Sequence, residues 1–209
     1  MQIYLTRHGR TQWNQERRFQ GMYGDSPLLP TSYEEVRQLG QHLTAIPFEA
    51  IYVSPSKRTL ETAKTIQQEL ATEVPMYINE DLREMGYGQL EGQQIDEMYE
   101  VYGEDLINLR YHLDRYDPSA FQGETPQAMI ERMERAIKTA IEAHEGPILI
   151  VGHGASLTAA IRHLLGKSLA ELRSEGGLQN NSLTILEMTD TTPTFELALW
   201  DDRTYLTEE

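Results

Sequence analysis

The sequence predicts an α/β fold: a three-layer α/β/α sandwich with a mostly parallel central sheet and an inserted helical cap. Three observations lead there. The runs "AIYV" at 50–53 and "ILIV" at 148–151 are continuously apolar, as strands buried on both faces of a parallel sheet must be. Amphipathic helical patterns separate the strand candidates, and strand–helix alternation is the signature of a parallel sheet covered on both sides. One stretch, about 91–123, is acidic and tyrosine-rich and breaks that alternation.

Taken in order, the first strand is expected at 3–5 (Ile-Tyr-Leu). The segment "TSYEEVRQLGQHL" opens with a capping box, Thr31 with Glu34 three residues on, and predicts a helix. The strand at 50–53 leads to Ser54-Pro55, which reads as an N-cap followed by proline at the first helical position. A further strand is expected at 75–78. In the cap, Ile95, Met98, Tyr102, Leu106, Leu109 and Leu113 recur three or four residues apart, the stripe of one long helix. Thr125-Pro126 repeats the N-cap signal, followed by Met129, Ile130, Met133, Ile137, Ala140 and Ile141 at helical spacing. After the strand at 148–151, Leu157, Ala160, Ile161, Leu164 and Leu165 share one helical face. Strands at 182–186 and 195–199 complete the pattern. With 209 residues and 39% hydrophobic content, a single domain spanning 1–209 with a cap insertion is the expectation.

Composition narrows the chemistry. Cysteine is absent, which excludes disulfides, thiolate metal ligands and cysteine nucleophiles. No apolar run approaches the ~20 residues of a membrane span, and the chain enters a strand pattern at once without a signal-like stretch. A cytoplasmic protein is the expectation. The formal net charge is −15, from 33 acidic against 18 basic residues, so nucleic acid and anionic membranes are poor partners. An anion site in such a chain has to be concentrated in one pocket. Nothing in the sequence specifies an oligomeric state.

Three strand ends carry unusual residues. The first is followed by Arg7-His8-Gly9, the second by Ser54 and then Arg58, the third by "VGHGAS" with His153 between two glycines. Ligands in open α/β sheets bind outside the carboxyl ends of the strands. Two histidines and two arginines on one rim, beside helix N-termini, make a phosphate-sized anion site. Taken singly, each has a commoner explanation: a surface arginine, a satisfied core histidine, an exposed helix face. Their shared structural position is what favours function. Two histidines without a nearby carboxylate pair are a poor metal-ligand set, and adjacent arginines repel a cation, so neither metal nor cofactor is expected. A fourth element, "DLREMGYGQLEG", places Glu84 among Leu82, Met85 and Tyr87. Apolar neighbours and a bound anion would raise its pKa and make it a candidate acid.

These motifs resemble those of the histidine phosphatase superfamily, the phosphoglycerate-mutase-like group. "RHGRTQWN", "RFQGMYGDSPL", "SPSKRTLETA", "DLREMGYGQLEG", "VGHGASL" and "NNSLTILE" follow in the family's order across nearly the whole chain. The resemblance implies that His8 is the nucleophile that becomes phosphorylated. It implies that Arg7, Arg58 and His153 hold the phosphoryl oxygens together with Asn14, and that Gln20 and Gly21 contact substrate. Glu84 would be the general acid and later the base that activates water. The chemistry is consistent: phosphoryl transfer needs positioning and charge stabilisation, and neighbouring guanidiniums keep His8 neutral and nucleophilic.

The expected activity is metal-independent hydrolysis of a small phosphorylated metabolite. The alternatives are a cofactor-dependent phosphoglycerate mutase and a catalytically silent phosphate-binding protein. Gly9-Arg10-Thr11 stands where the mutases usually read "GES", and Asn180-Asn181-Ser182-Leu183 where they carry "NGIP"; both lean toward hydrolysis. Arg10 departs from the acidic residue usual in the family. It either favours a more highly charged substrate or points outward to the acidic exterior. Tyr99, Tyr102, Tyr111 and Tyr116 of the cap are expected to help choose the leaving group.

Overall fold

The register of the central strands places their carboxyl ends level, and this brings the distant motifs together. A computed structural model describes residues 1–189 and 194–207. The strands are β1 (Gln2–Arg7), β2 (Ala50–Val53), β3 (Met76–Ile78), β4 (Ile148–Gly152), β5 (Leu183–Thr189) and β6 (Thr194–Asp202), and the sheet order is β3-β2-β4-β1-β5-β6. The first four run parallel, while β5 is antiparallel to β1 and β6 to β5. Arg7 lies opposite Gly152, and Val53 opposite Val151. The residues that follow β1, β2 and β4 therefore emerge side by side.

Side chains alternate across a strand, and here both faces are covered. Ile3, Leu5, Ala50, Tyr52, Ile148 and Ile150 belong to one buried cluster; Tyr4, Ile51, Val53, Leu149 and Val151 belong to the other. The first cluster takes in Met133 and Ile137 of α5 (Pro126–Glu142), and Leu157 and Ile161 of α6 (Gly154–Leu164). The second takes in Val36 and Leu39 of α2 (Pro30–Leu43), and Ile66 of α3 (Lys57–Glu69). This is the expected three-layer sandwich. Ile150 is fully buried, and truncating such a side chain to alanine costs about 2–5 kcal/mol.

Several local expectations change. The capping box at Thr31 does not form: α2 starts two residues earlier than that cap would set it, on Pro30 after Leu29, with no side-chain cap. Proline's fixed φ suits the first helical position, and it wins over the box. Ser54-Pro55 likewise does not start α3. Ser56 is the N-cap, and Arg58 sits in the first turn. Thr125 does cap α5, accepting from the backbone N–H of Ala128 at 3.2 Å. A short α1 (Gln12–Gln15) was not foreseen; Thr11 and Asn14 form its capping box. The stripe at 95–113 is interrupted. α4 (Ile95–Tyr111) contains Gly103 at φ 3°, ψ −80°, outside helical geometry, and Leu106, Leu109 and Leu113 are buried. Glycine tolerates a backbone that other residues avoid. No helix among the described residues is long and apolar enough to cross a membrane.

Candidate active site

His8 leaves β1 with its backbone N–H bonded to the Gly152 carbonyl at 3.0 Å. Gly9 follows because nothing larger fits: a Cβ there would stand 2.5 Å from Ser32 Oγ. The His8 ring is buried, with Nδ1 2.8 Å from the Gly9 carbonyl oxygen. A carbonyl only accepts, so Nδ1 carries the proton and the lone pair lies on Nε2. Among the described residues Nε2 has no hydrogen-bond partner. Burial, then the Arg58 and Arg7 guanidiniums, hold the pKa of His8 well below the usual histidine value, leaving a neutral imidazole near pH 7.

His153 occupies the N-cap position of α6, its ring 5.3 Å from that of His8 and edge-on to it. Its Nδ1 lies 3.0 Å from Arg58 Nη2 and its Nε2 2.7 Å from Ser54 Oγ. Because guanidinium only donates, Nδ1 accepts and Nε2–H donates to the serine. Burial and the Arg58 charge push its pKa well down too. The resemblance gave His153 a phosphoryl oxygen to hold, but in this state both ring nitrogens are engaged with protein.

The Arg58 side chain is wholly buried. Nη1 donates to the Gly24 carbonyl at 2.8 Å and Asp25 Oδ1 at 3.0 Å, and Nη2 donates to the Gly21 carbonyl at 3.0 Å. Gly21 thus meets Arg58 through its carbonyl. Arg7 donates from Nη1 to the Leu178 carbonyl at 2.7 Å, and burial lowers its pKa. A Cβ on Gly154 would lie 3.1 Å from the Arg7 Cζ and Nε, so the "HGA" glycine makes room for this guanidinium. Arg7 Nε, Arg58 Nε and Gln20 Nε2 are buried donors without a partner among the described residues. Such groups cost about 1–3 kcal/mol each when unsatisfied.

Glu84 is buried, but not in the apolar setting the sequence suggested. Oε1 accepts from the backbone N–H groups of Met85 and Ser156, both at 2.8 Å, and Oε2 from that of Ala155 at 2.9 Å. Two of these donors belong to the first turn of α6, where free N–H groups favour negative charge.

Arg7, Asn14, Gln20 and Glu84 line a cavity of about 350 Å³, together with Gly154, Ala155 and Tyr87. His8, Arg58 and His153 are not on its walls; His8 and His153 adjoin the lining residues Arg7 and Gly154 in the chain, and Arg58 is hydrogen-bonded to His153. Asn14 Oδ1 is taken up by the Thr11 N–H at 3.2 Å and Asn180 Nδ2 at 3.3 Å, and Asn180 also donates to the His8 carbonyl at 2.9 Å. The far walls come from Ile95, Tyr99, Leu106, Leu109 and Arg110 of α4, with Arg18 and Arg173. Of the four cap tyrosines, Tyr99 alone lines this cavity. Arg10 is exposed, lines no part of it and makes no ion pair among the described residues.

Sequence reasoning missed Ser54 as the partner of His153, and Arg18, Arg110 and Arg173 as cavity residues. Ser54 was detectable as the polar residue directly after a buried strand; the arginines come from separate loops and helices and gave no signal. Among the described residues no group of three or more histidine or carboxylate side chains is arranged to hold a metal ion.

Comparison with known proteins agrees with this architecture. The chain is 34% identical over 170 residues to a probable phosphoglycerate mutase, GpmB, of Salmonella arizonae, covering 79% of this chain and 75% of that one. Its fold superposes on YhfR of Bacillus stearothermophilus with a TM-score of 0.89 at 34% identity, covering 98% of each. A mycobacterial glucosyl-3-phosphoglycerate phosphatase shares the fold alone, with a TM-score of 0.85 at 20% identity over 96% of this chain and 98% of that one. A family model matches residues 3–201, and the chain belongs to the histidine phosphatase superfamily, branch 1.

Proposed function

We propose that this protein is a phosphatase that hydrolyses small phosphomonoesters through a phosphohistidine on His8. The observation that carries the reading is the His8 tautomer. Its Nδ1–H is bonded to Gly9, and its unpartnered Nε2 lies in the field of two guanidiniums. The Nε2 lone pair attacks phosphorus, and the bond to the leaving oxygen breaks with its electron pair going to that oxygen. Glu84 supplies the proton the oxygen needs. Water then attacks the phosphohistidine, giving a proton to Glu84, and the N–P bond returns its pair to Nε2. Arg7, Arg58, His153 and Asn14 hold the phosphoryl oxygens, and the three unsatisfied donors gain an acceptor when an anion enters. His153 exchanges one of its present partners to do so.

Substrate class follows from the far end of the cavity. Neither Arg110 nor Arg173 has a carboxylate within 4.0 Å among the described residues, in a chain with 33 acidic residues. Their charge favours a second negative group on the leaving portion. Phosphoglycerate mutation is the second reading, favoured by the 34% identity to the Salmonella protein. The test is a panel of p-nitrophenyl phosphate, glycerol 3-phosphate and 3-phosphoglycerate, assayed in EDTA for phosphate release and by NMR for phosphoglycerate interconversion. Phosphate release, faster from 3-phosphoglycerate than from glycerol 3-phosphate, is expected. Interconversion outpacing release would make the protein a mutase, and no turnover of any ester would make it a silent binder.

A further inference from the structure

Glu84 stands between two short 3₁₀ turns, Glu80–Leu82 and Gly88–Leu90, in a segment with no helix or strand of its own to fix it. Arg135 of α5 pairs with Asp81 at the segment's start, but the backbone at Glu84 itself is held by another α5 side chain. The Arg132 guanidinium donates from Nε to Glu124 Oε1 at 2.7 Å. From Nη1 it donates to the carbonyls of Asp81 at 2.8 Å and Arg83 at 2.6 Å. From Nη2 it donates to the Glu84 carbonyl at 3.0 Å and Glu124 Oε2 at 2.8 Å. All five N–H donors that an arginine possesses are used. Glu124 closes the circuit on the far side of Glu84: its Oε2 accepts from the Gly86 N–H at 3.1 Å, and its own N–H donates to the Gly86 carbonyl at 2.7 Å. The ion pair is nearly buried, its side chains 10% and 13% exposed. Arg132 lines no part of the active-site cavity.

We infer that Arg132, braced by Glu124, is a positioning residue that sets where the Glu84 carboxyl stands relative to the leaving oxygen. The backbone of 81–84 is clamped by this guanidinium and that of Gly86 by Glu124, while the carboxyl itself is aimed by the N–H groups of Met85 and of the start of α6. The two fixtures come from neighbouring helices and hold opposite ends of the same residue, the backbone carbonyl and the carboxyl of Glu84. A lysine keeps the charge at 132 but has three donors, so it cannot satisfy three carbonyls and a bidentate carboxylate. It would leave buried carbonyls unpaired and the segment free to shift. A displacement of about 1 Å in a catalytic group is enough to cost on the order of 10²-fold.

The inference rests on the reading of Glu84 as leaving-group acid, and the experiment separates the two. Wild type, Glu84→Gln, Arg132→Lys and the double variant are compared by rapid quench for phosphohistidine formation from p-nitrophenyl phosphate and from glycerol 3-phosphate. Nitrophenolate departs unaided, whereas the alkoxide needs the proton. Arg132→Lys is expected to slow the alkyl ester by about 10-fold or more, part of the ~10²–10⁴ a positioned acid supplies. It should slow the aryl ester by less than about 3-fold on the same reasoning. The double variant should be no slower on the alkyl ester than Glu84→Gln alone, since a residue acting through Glu84 has nothing left to act on. Equal losses on both esters, or additive losses in the double variant, would reduce Arg132 to a structural role and overturn the inference. If Glu84→Gln itself fails to discriminate between the esters, the reading of Glu84 falls and the inference falls with it. Should Arg132→Lys not fold, Glu124→Gln, which keeps one acceptor for the guanidinium, decides by the same comparison.

Discussion

Two buried imidazoles held neutral beside two guanidiniums make stability depend on pH in a calculable way. The pKa values of His8 and His153 are both depressed in the folded protein, by burial first and then by the Arg58 charge. In the unfolded chain each returns to about 6.5. Between the depressed values and about pH 6.5 the unfolded state therefore binds more protons than the native one, so stability falls as pH falls. Above the unfolded value neither state is protonated and the contribution is flat. For one histidine that stays neutral when folded, acidification from about pH 7.5 to about pH 5.5 removes roughly 1.4 kcal/mol, and for two roughly 2.7 kcal/mol. Carboxylates add their own slope, so the assay is differential: urea unfolding of wild type and His8→Asn across that range. Asparagine keeps a donor for the Gly9 carbonyl and cannot be protonated. The variant should lose about 1.4 kcal/mol less than wild type over the range. Identical losses in the two proteins would show that His8 is not held neutral, and the account of its nucleophilicity would fail.

Two further outcomes follow from the same contacts. Arg58→Ala removes the proposed donor to the phosphoryl group and the partner of His153 Nδ1, and should lower kcat/KM for p-nitrophenyl phosphate by roughly 10²–10³-fold; activity within a few-fold of wild type would remove Arg58 from the site. Gly154→Ala brings a methyl to 3.1 Å from the Arg7 guanidinium, which must give by a few tenths of an ångström. Alanine is the better helix former by up to about 1 kcal/mol, so kcat/KM should fall while Tm holds or rises, and a fall in both would contradict the packing described.

How much of this was legible beforehand depended on whether the cause was local. The runs 50–53 and 148–151 announced buried parallel strands because a strand covered on both faces has no polar side to alternate. The convergence of His8, Arg58 and His153 was legible because parallel strand ends lie level in any such sheet. The start of α2 was misread because two local signals, the Thr31–Glu34 box and Pro30, compete, and only their relative strength in context decides. The break at Gly103 was hidden inside a periodic stripe, since a glycine in a helical pattern does not reveal whether the helix bends there. Glu84 stands out in the sequence as a candidate acid, but its surroundings do not. Its sequence neighbours Leu82, Met85 and Tyr87 are apolar, whereas the N–H groups that meet its oxygens arrive from residues 155 and 156. Arg132 gave no functional signal at all: on α5 it reads as one more charge in "IERMERAIK", and its five acceptors come from two separate segments.

The central claim is that the phosphoryl group passes through His8, and trapping it there is the most direct test. Wild-type protein is mixed with radiolabelled p-nitrophenyl phosphate, quenched in alkali within milliseconds, digested and mapped, alongside His8→Asn. The label should sit on the peptide containing His8, survive alkali and be released by acid, and appear at a rate no slower than turnover, while His8→Asn takes up none and is inactive. Label retained by His8→Asn, or wild-type turnover with no labelled intermediate at any time, would contradict the account.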